Sequence, residues 1–372
     1  MHKRRCGSFF WLSICISFLV ACRKDTVPST EEGFTFTKGL YLLNEGNMSM
    51  NKASLDFYDF TTGIYERDVF KRANPEVVLG LGDVGNDIQL YGSKLYVVVN
   101  ASNKVEVLDV HTAKRIKQIE VLNCRYIAFD QGKAYVSSYN SKIDLDSNSP
   151  YGEVVEIDTT TLMVTREVTV GRQPEGLAVV GRKLYVANSG GYNPSNYEHT
   201  VSVINLDAFK EIKRIEVGIN LDQLKADRYG NIWVNSRGDY QGKQANFFMI
   251  NTKTEEVSYT FNKAVSNFWI DQDNIYTYSS EWNYQTQKNT ISYQWYALAD
   301  SHQGMPYITD GTEKEIALPY GIAVDPHSKD IYLTDAKNYV TPGTLYRFSA
   351  NGKLIDTFET GDIPAHMVFL GL

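Results

Sequence analysis

Six histidines lie singly along the 372 residues, at positions 2, 111, 199, 302, 327 and 366. None forms the His-Glu-x-x-His run or a close pair that would hold a catalytic zinc. No Gly-x-Ser-x-Gly turn presents a nucleophile, and no Gly-x-x-x-x-Gly-Lys run cradles a phosphate. Asp144, Asp146 and Ser147 are spaced like the start of a calcium loop, but the glycine and closing Glu of an EF-hand are missing, so the segment reads as a solvated loop. Asp87, Glu175, Asp222 and His366 could meet in a channel and serve a metal-dependent lactonase or lyase; isolated carboxylates are more commonly structural. No catalytic residue, metal ligand or cofactor is assigned, and the expectation is a binding protein and not an enzyme.

The chemistry that does stand out is amphipathic. Polar, tyrosine-bearing segments recur: Ser138-Tyr139-Asn140, the run from Asn188 to Tyr197 with Tyr192 and Asn193, Ser236 to Gln241 with Arg237 and Tyr240, Ser280 to Gln285 with Trp282 and Tyr284, and Ala336 to Tyr339. Asn86, Asp87, Arg125, Gln173, Tyr320 and His366 fall at the starts of another set of segments. Aromatic rings give rigid apolar contact at low entropic cost, and Asn, Gln and Tyr hydrogen-bond amides or hydroxyls. These residues are expected to line a binding surface for a large, amphipathic, neutral ligand.

They must be positioned by a scaffold, and a repeat supplies it. One motif, a small or apolar residue followed by an aromatic and then β-branched or small residues, occurs seven times: at Leu40-Tyr41, Leu95-Tyr96, Ala134-Tyr135, Leu184-Tyr185, Ile232-Trp233, Ile275-Tyr276 and Ile331-Tyr332. A strand precedes each copy after the first, starting near Asn86, Asn123, Pro174, Asn220, Asn267 and Pro319, and a last one starts near Pro364. Spacings of 37 to 52 residues are those of propeller blades. Third and fourth strands follow, as in Lys104–Asp109, Val201–Asn205 and Arg214–Val217. Four strands per unit is a blade. The first copy lacks an inner strand and the last strand lacks a blade. The expected fold is all-β, a seven-bladed β-propeller closed by the C-terminal strand joining the N-terminal blade. In such a fold the loops after each second strand and those leading into each inner strand open on one face, where the residues named above would form a funnel.

The N-terminus carries an address. Lys3, Arg4 and Arg5 precede an apolar stretch from Phe9 to Val20, too short to span a bilayer comfortably, and Leu19-Val20-Ala21-Cys22 resembles a lipobox. Residues 1–21 are expected to be a lipoprotein signal peptide, 22–38 a lipidated Cys22 and flexible tether, and 39–372 the propeller. Lipidation uses Cys22, cleavage removes Cys6 and Cys15, and Cys124 remains alone, so no intrachain disulfide is expected. Net charge is −7 overall and −10 without the signal segment, which argues against nucleic acid as a partner.

Val170-Gly171-Arg172-Gln173-Pro174-Glu175-Gly176-Leu177-Ala178-Val179 with Lys183 to Asn188 resembles the repeat of YncE-like seven-bladed propellers. Pro319 to Asp325 with Ile331 to Asp335 is similar to NHL-type blades. Arg23-Lys24-Asp25 after the acylated position partly resembles the Bacteroidetes signal for export to the outer face. With that address, the chain is similar to BtuG-type lipoproteins. The resemblance implies an outer-membrane protein, lipid-anchored at the cell surface and touching the membrane through its lipid only. It further implies that the protein captures a corrinoid such as cobalamin and delivers it to a TonB-dependent transporter. A glycan- or protein-binding surface module is the other binding reading.

Overall fold

The computed structural model describes residues 36–143, 148–283 and 287–371. Seven antiparallel four-stranded sheets are arranged as blades in a ring. Blade 1 joins the two ends of the chain: Pro364–Gly371 lies innermost and pairs with Thr37–Asn44, followed by Ser54–Asp59 and Ile64–Glu66. Blades 2 to 7 span residues 85–120, 124–169, 174–216, 221–260, 267–306 and 319–362. The expected seven-bladed propeller and its mode of closure are both present. The first strand begins at Thr37, inside the segment expected to be tether.

The repeated aromatic explains why the ring packs. Trp233, Tyr96, Tyr135, Tyr185 and Tyr332, all on second strands, are among the largest fully buried side chains. Each wedges between its own sheet and a neighbouring blade; Tyr332, for example, meets Phe60 of blade 1 in a stacked pair at 5.8 Å. Aromatic pairs of this kind add about 0.5–1.5 kcal/mol beyond the area they bury. On the face away from the funnel, outer hairpins turn on an Asx device: Asp109 Oδ1 accepts from the amides of His111 and Thr112 at 3.1 and 2.9 Å, and Asp158 Oδ1 accepts from Thr160 and Thr161 at 3.0 and 2.7 Å. His111 is thereby explained as a turn residue.

Among the described residues, helix is confined to Val69–Ala73, in the connection from blade 1 to blade 2, and a 3-10 turn at Thr312–Lys314. None of the described helices is long and apolar enough to cross a membrane. One expected loop is something else. In blade 6 the second and third strands, Asn274–Asn283 and Lys288–Ala297, stay paired up to Asn283 opposite Lys288. Ser280 to Asn283 therefore form strand, with Ser280 opposite Ile291, Glu281 opposite Thr290 and Trp282 opposite Asn289; the β-branched Ile291 and Thr290 favour a pleated surface. A β-hairpin rises over the funnel there.

Candidate functional site

The inner strands share a local irregularity that builds the site. In blades 3, 4, 5 and 7 two inner-strand residues oppose a single residue of the second strand, and blades 1 and 2 show the same slip by one residue. The doubled pairs are Arg125-Tyr126, Glu175-Gly176, Asp222-Gln223 and Tyr320-Gly321. A bulge of this kind re-aims side chains that strict alternation would send to opposite faces. The amide it leaves without a ladder partner is taken by the opposing side chain. Tyr126 N donates to Ser137 Oγ at 3.1 Å, Gln223 N to Asn235 Oδ1 at 2.8 Å, and Gly321 N to Thr334 Oγ1 at 2.7 Å. The same polar groups then reach the next blade: Ser137 Oγ donates to Glu175 O at 2.8 Å and Thr334 Oγ1 to Pro364 O at 2.6 Å. Glycine is required in two bulges, since a Cβ on Gly176 would lie 2.4 Å from Leu224 N and one on Gly321 2.2 Å from Ala365 O.

The result is a funnel of about 1230 Å³, larger than the ~300–1,000 Å³ typical of small-molecule clefts. Its floor under blades 3 to 5 is ionic. Arg125 Nε donates to Glu175 Oε2 at 2.8 Å, Tyr139 OH donates to Glu175 Oε1, and an Arg237 amine stands 3.5 Å from that same oxygen. A second Arg237 amine donates to Asp222 Oδ1 at 2.7 Å. The Arg125 guanidinium lies 5.2 Å over the Tyr139 ring. Burial would raise the Glu175 carboxyl, but Arg125 and Arg237 outweigh it and hold it below the usual carboxylate range. Burial wins at Asp222, whose carboxyl is raised despite Arg237, with Glu175 adding repulsion. Deeper, Lys225 Nζ donates to Phe268 O at 2.6 Å beneath the Phe268 and Trp269 rings, and burial pulls its ammonium down to about 8.

The opposite wall is built from tyrosine. Tyr320 OH donates to Glu45 Oε2 at 2.9 Å, and His366 Nε2 lies 3.3 Å from Glu45 Oε1. Tyr278 OH donates to Tyr320 O, and Tyr339 packs edge-on against Tyr320 with centroids 5.8 Å apart. The loop of Tyr240 and the blade 6 hairpin, through Ser280, Glu281, Asn289 and Thr290, complete the rim.

Of the residues expected to bind ligand, Asn86, Arg125, Arg237, Tyr240, Tyr320, Tyr339 and His366 line this one funnel. Asp87, Tyr139, Gln173, Tyr192, Asn193 and Tyr197 are not among the residues that line it. Asp87 is buried; Oδ1 accepts from Ile88 N at 2.8 Å and Oδ2 from Ile127 N at 3.0 Å. Gln173 is fully buried and donates to Ser149 Oγ at 2.7 Å. Tyr139 is buried beneath the floor, where it fixes Glu175, and Tyr192 packs edge-on against it at 5.1 Å. Asn193 accepts from Ser195 Oγ at 2.7 Å in the blade 4 loop. Tyr197 lies in the same loop, its hydroxyl pushed up by burial and by the nearby Tyr240 and Asp239. Residues 22–35 of the expected tether with Cys22, the calcium-like Asp144, Asp146 and Ser147, Tyr284 and the side chain of Trp282 lie outside the described residues. Glu45, Tyr126 and Tyr278 line the funnel without having been singled out. Glu45 could have been found by aligning the repeats, because Asn44-Glu45-Gly46 stands where blade 4 has Asn188-Ser189-Gly190.

The carboxylates considered for metal chemistry do not converge as a donor set. Glu175 and Asp222 face guanidinium groups, and Asp87 accepts from backbone amides. Among the described residues no three His, Cys, Asp or Glu side chains come together within metal-binding reach. Cys124 is buried and unpaired, its thiol pushed up to about 12 by burial, which fits a small packing residue and no nucleophile.

The model of the family described as a domain of unknown function, DUF5074, matches residues 38–370. No curated protein matches the chain in sequence. Among solved structures, a quinonprotein alcohol dehydrogenase-like protein from Bacteroides thetaiotaomicron VPI-5482 superposes with a TM-score of 0.62 at 15% identity, over 90% of this chain and 78% of that one. Hydrazine synthase of Kuenenia stuttgartiensis gives 0.60 at 16% identity, over 76% and 88%. A protein from Bacteroides fragilis NCTC 9343, provisionally described as a 6-phosphogluconolactonase, gives 0.60 at 11% identity, over 92% and 99%. At these identities the likeness is one of fold alone.

Proposed function

The chain belongs to the DUF5074 family, and from that premise we propose that it is an exported lipoprotein whose funnel captures a large amphipathic ligand without transforming it. The ligand class we propose is a corrinoid such as cobalamin, handed on to a TonB-dependent transporter. The observation that carries the reading is the floor of the funnel. Its carboxylates Glu175 and Asp222 are engaged by Arg125, Arg237 and Tyr139 and hold shape, while the walls offer tyrosine rings and amide side chains in a volume of about 1230 Å³. A preformed, rigid, mostly neutral surface favours binding because little ordering is left to be done when the ligand arrives.

Calorimetric titration of the chain from residue 23 onward with cyanocobalamin tests this. The expected result is tight one-to-one binding. No heat at micromolar protein overturns the corrinoid assignment and directs the search to glycans. The address is tested separately: metabolic labelling with a lipid precursor is expected to mark the wild type and to disappear in Cys22→Ala.

A further inference from the structure

Two exposed tyrosines on the funnel rim are held in the same unusual way. Tyr240, in the loop after the second strand of blade 5, has φ +59°, and Tyr339, in the equivalent loop of blade 7, has φ +64°. Left-handed backbone is unfavourable for a bulky side chain and is normally left to Gly or Asn. The residue two before each tyrosine is left-handed as well, Gly238 at +67° and Lys337 at +53°. Between them stands an Asx residue that ties the turn. Asp239 Oδ1 accepts from the amides of Gln241, Gly242 and Lys243 at 2.8–2.9 Å. Asn338 Oδ1 accepts from Val340 N and Thr341 N at 3.0 and 2.9 Å. The Asn47 side chain also donates to Tyr339 O from blade 1. One device, Asx followed by a left-handed tyrosine, thus appears twice on one rim, on either side of the blade 6 hairpin.

Packing accounts for these rings only in part: Tyr339 leans edge-on against Tyr320, and both rings stay exposed. Phe209 is the other described aromatic residue with positive φ, and it is buried, stacked on Tyr135 at 6.0 Å and covered by Arg166 at 4.6 Å. Tyr240 and Tyr339 are 69% and 43% exposed. Strained backbone that burial does not fully offset is a feature of ligand clamps.

We propose that Tyr240 and Tyr339 are the two jaws of a single clamp, and that the ligand of this funnel presents a flat, conjugated or apolar ring face to them. The clamp rests on the ligand-capture reading and narrows its ligand class. Asx side chains and flanking left-handed residues fix both loops in advance, so the rings meet the ligand with their orientation already set. Arg237 and the Tyr320–Glu45 pair lie in the funnel below them for groups at the ligand's edge.

The test uses Tyr240→Asn and Tyr339→Asn, which remove the ring while suiting a left-handed backbone, Tyr240→Phe and Tyr339→Phe, which keep the ring, and Tyr229→Ala as a control. Tyr229 is an exposed tyrosine in the turn between the first and second strands of blade 5, on the opposite face. Two probes are titrated, cyanocobalamin and the planar fluorophore 8-anilinonaphthalene-1-sulfonate, alongside thermal unfolding. Each Asn variant is expected to weaken probe binding by roughly tenfold or more with an unchanged or higher Tm, while the Phe and Tyr229 variants bind like the wild type. If cyanocobalamin does not bind but the fluorophore does and is lost in the Asn variants, the clamp stands and the corrinoid assignment falls. Undiminished binding in the Asn variants, a lowered Tm in both, or no binding of either probe to the wild type overturns the clamp.

Discussion

The two halves of the funnel solve the same problem differently. Under blades 3 to 5, Arg125, Glu175, Arg237 and Asp222 neutralise one another, with Tyr139 as a further donor. On the side of blades 6, 7 and 1, Tyr278, Tyr320 and Tyr339 lean on one another, with Glu45 and His366 as the charged ends. The carboxylates of the ionic half are buried and held by the two guanidinium groups, which fixes three inner strands at their closest approach. The tyrosine half ties its hydroxyls and leaves ring surface to the funnel. Charge here joins the strands, and aromatic surface faces the funnel.

Breaking one member of each half separates these roles. Glu175→Gln leaves Arg125 without its carboxylate and Arg237 with Asp222 alone; breaking a buried pair on one side costs about 3–5 kcal/mol and the part-exposed guanidinium groups moderate that loss, so the unfolding midpoint in urea is expected to fall. The loss depends on pH with a defined sign. The folded Glu175 carboxyl is held below its usual value, so its stabilisation is present above the unfolded pKa of about 4.3 and is lost as pH falls through the folded value. The gap between wild type and variant is therefore expected to narrow below about pH 4.

Gly176→Ala and Gly321→Ala probe the backbone device common to both halves. Each pushes a Cβ into the next blade's main chain, at 2.4 and 2.2 Å, and overpacking of this kind costs about 1–3 kcal/mol. Equal losses in thermal unfolding would show that the halves differ in side chains alone; a loss confined to Gly176 would show that the ionic half is also the tighter ring segment. Lys225 bridges the halves by donating from blade 5 to Phe268 O of blade 6. Its folded pKa of about 8 lies below the unfolded value, so between roughly pH 8 and 9.5 the unfolded chain holds the proton more firmly and folding gains as pH rises. Relative to Lys225→Met, the wild type is expected to gain stability across that window in denaturant titrations. Tyr320→Phe should be the mildest change. It removes one hydrogen bond to Glu45, about 0.5–1.5 kcal/mol, and is expected to alter ligand affinity more visibly than Tm.

The fold was legible because one aromatic recurs at one structural position. Tyr96, Tyr135, Tyr185, Trp233 and Tyr332 must each fill the same gap between sheets, so selection for packing writes the period into the chain. The funnel was legible as far as loop placement carried it, which is why Arg237, Tyr240 and Tyr339 were found. Alternation along a strand assigns Arg125 and Tyr126 to opposite faces, and only the bulge opposite Ser137 brings both to the channel. That slip has no residue signature of its own. Asp87 and Gln173 show the converse: they stand at the right height but lie outside the funnel lining, held by backbone amides and by Ser149. The blade 6 hairpin escaped because Ser, Asn and Tyr suit a loop as well as an exposed strand, and only pairing across to Lys288–Ala297 decides between them.

The closing blade sets a condition on when the protein becomes competent. Glu45 and His366 meet across 321 residues of chain, and the strand Pro364–Gly371 completes the first sheet. Contacts so distant in sequence form late, because chain entropy must be surrendered before they return anything. Six blades can assemble in the order they emerge, but the ring, and with it the tyrosine wall, is finished only when the final strand arrives. A chain cut short by ten residues would keep most of its sheets but lose His366 and the closing strand, and the wall around Glu45 would go unmade.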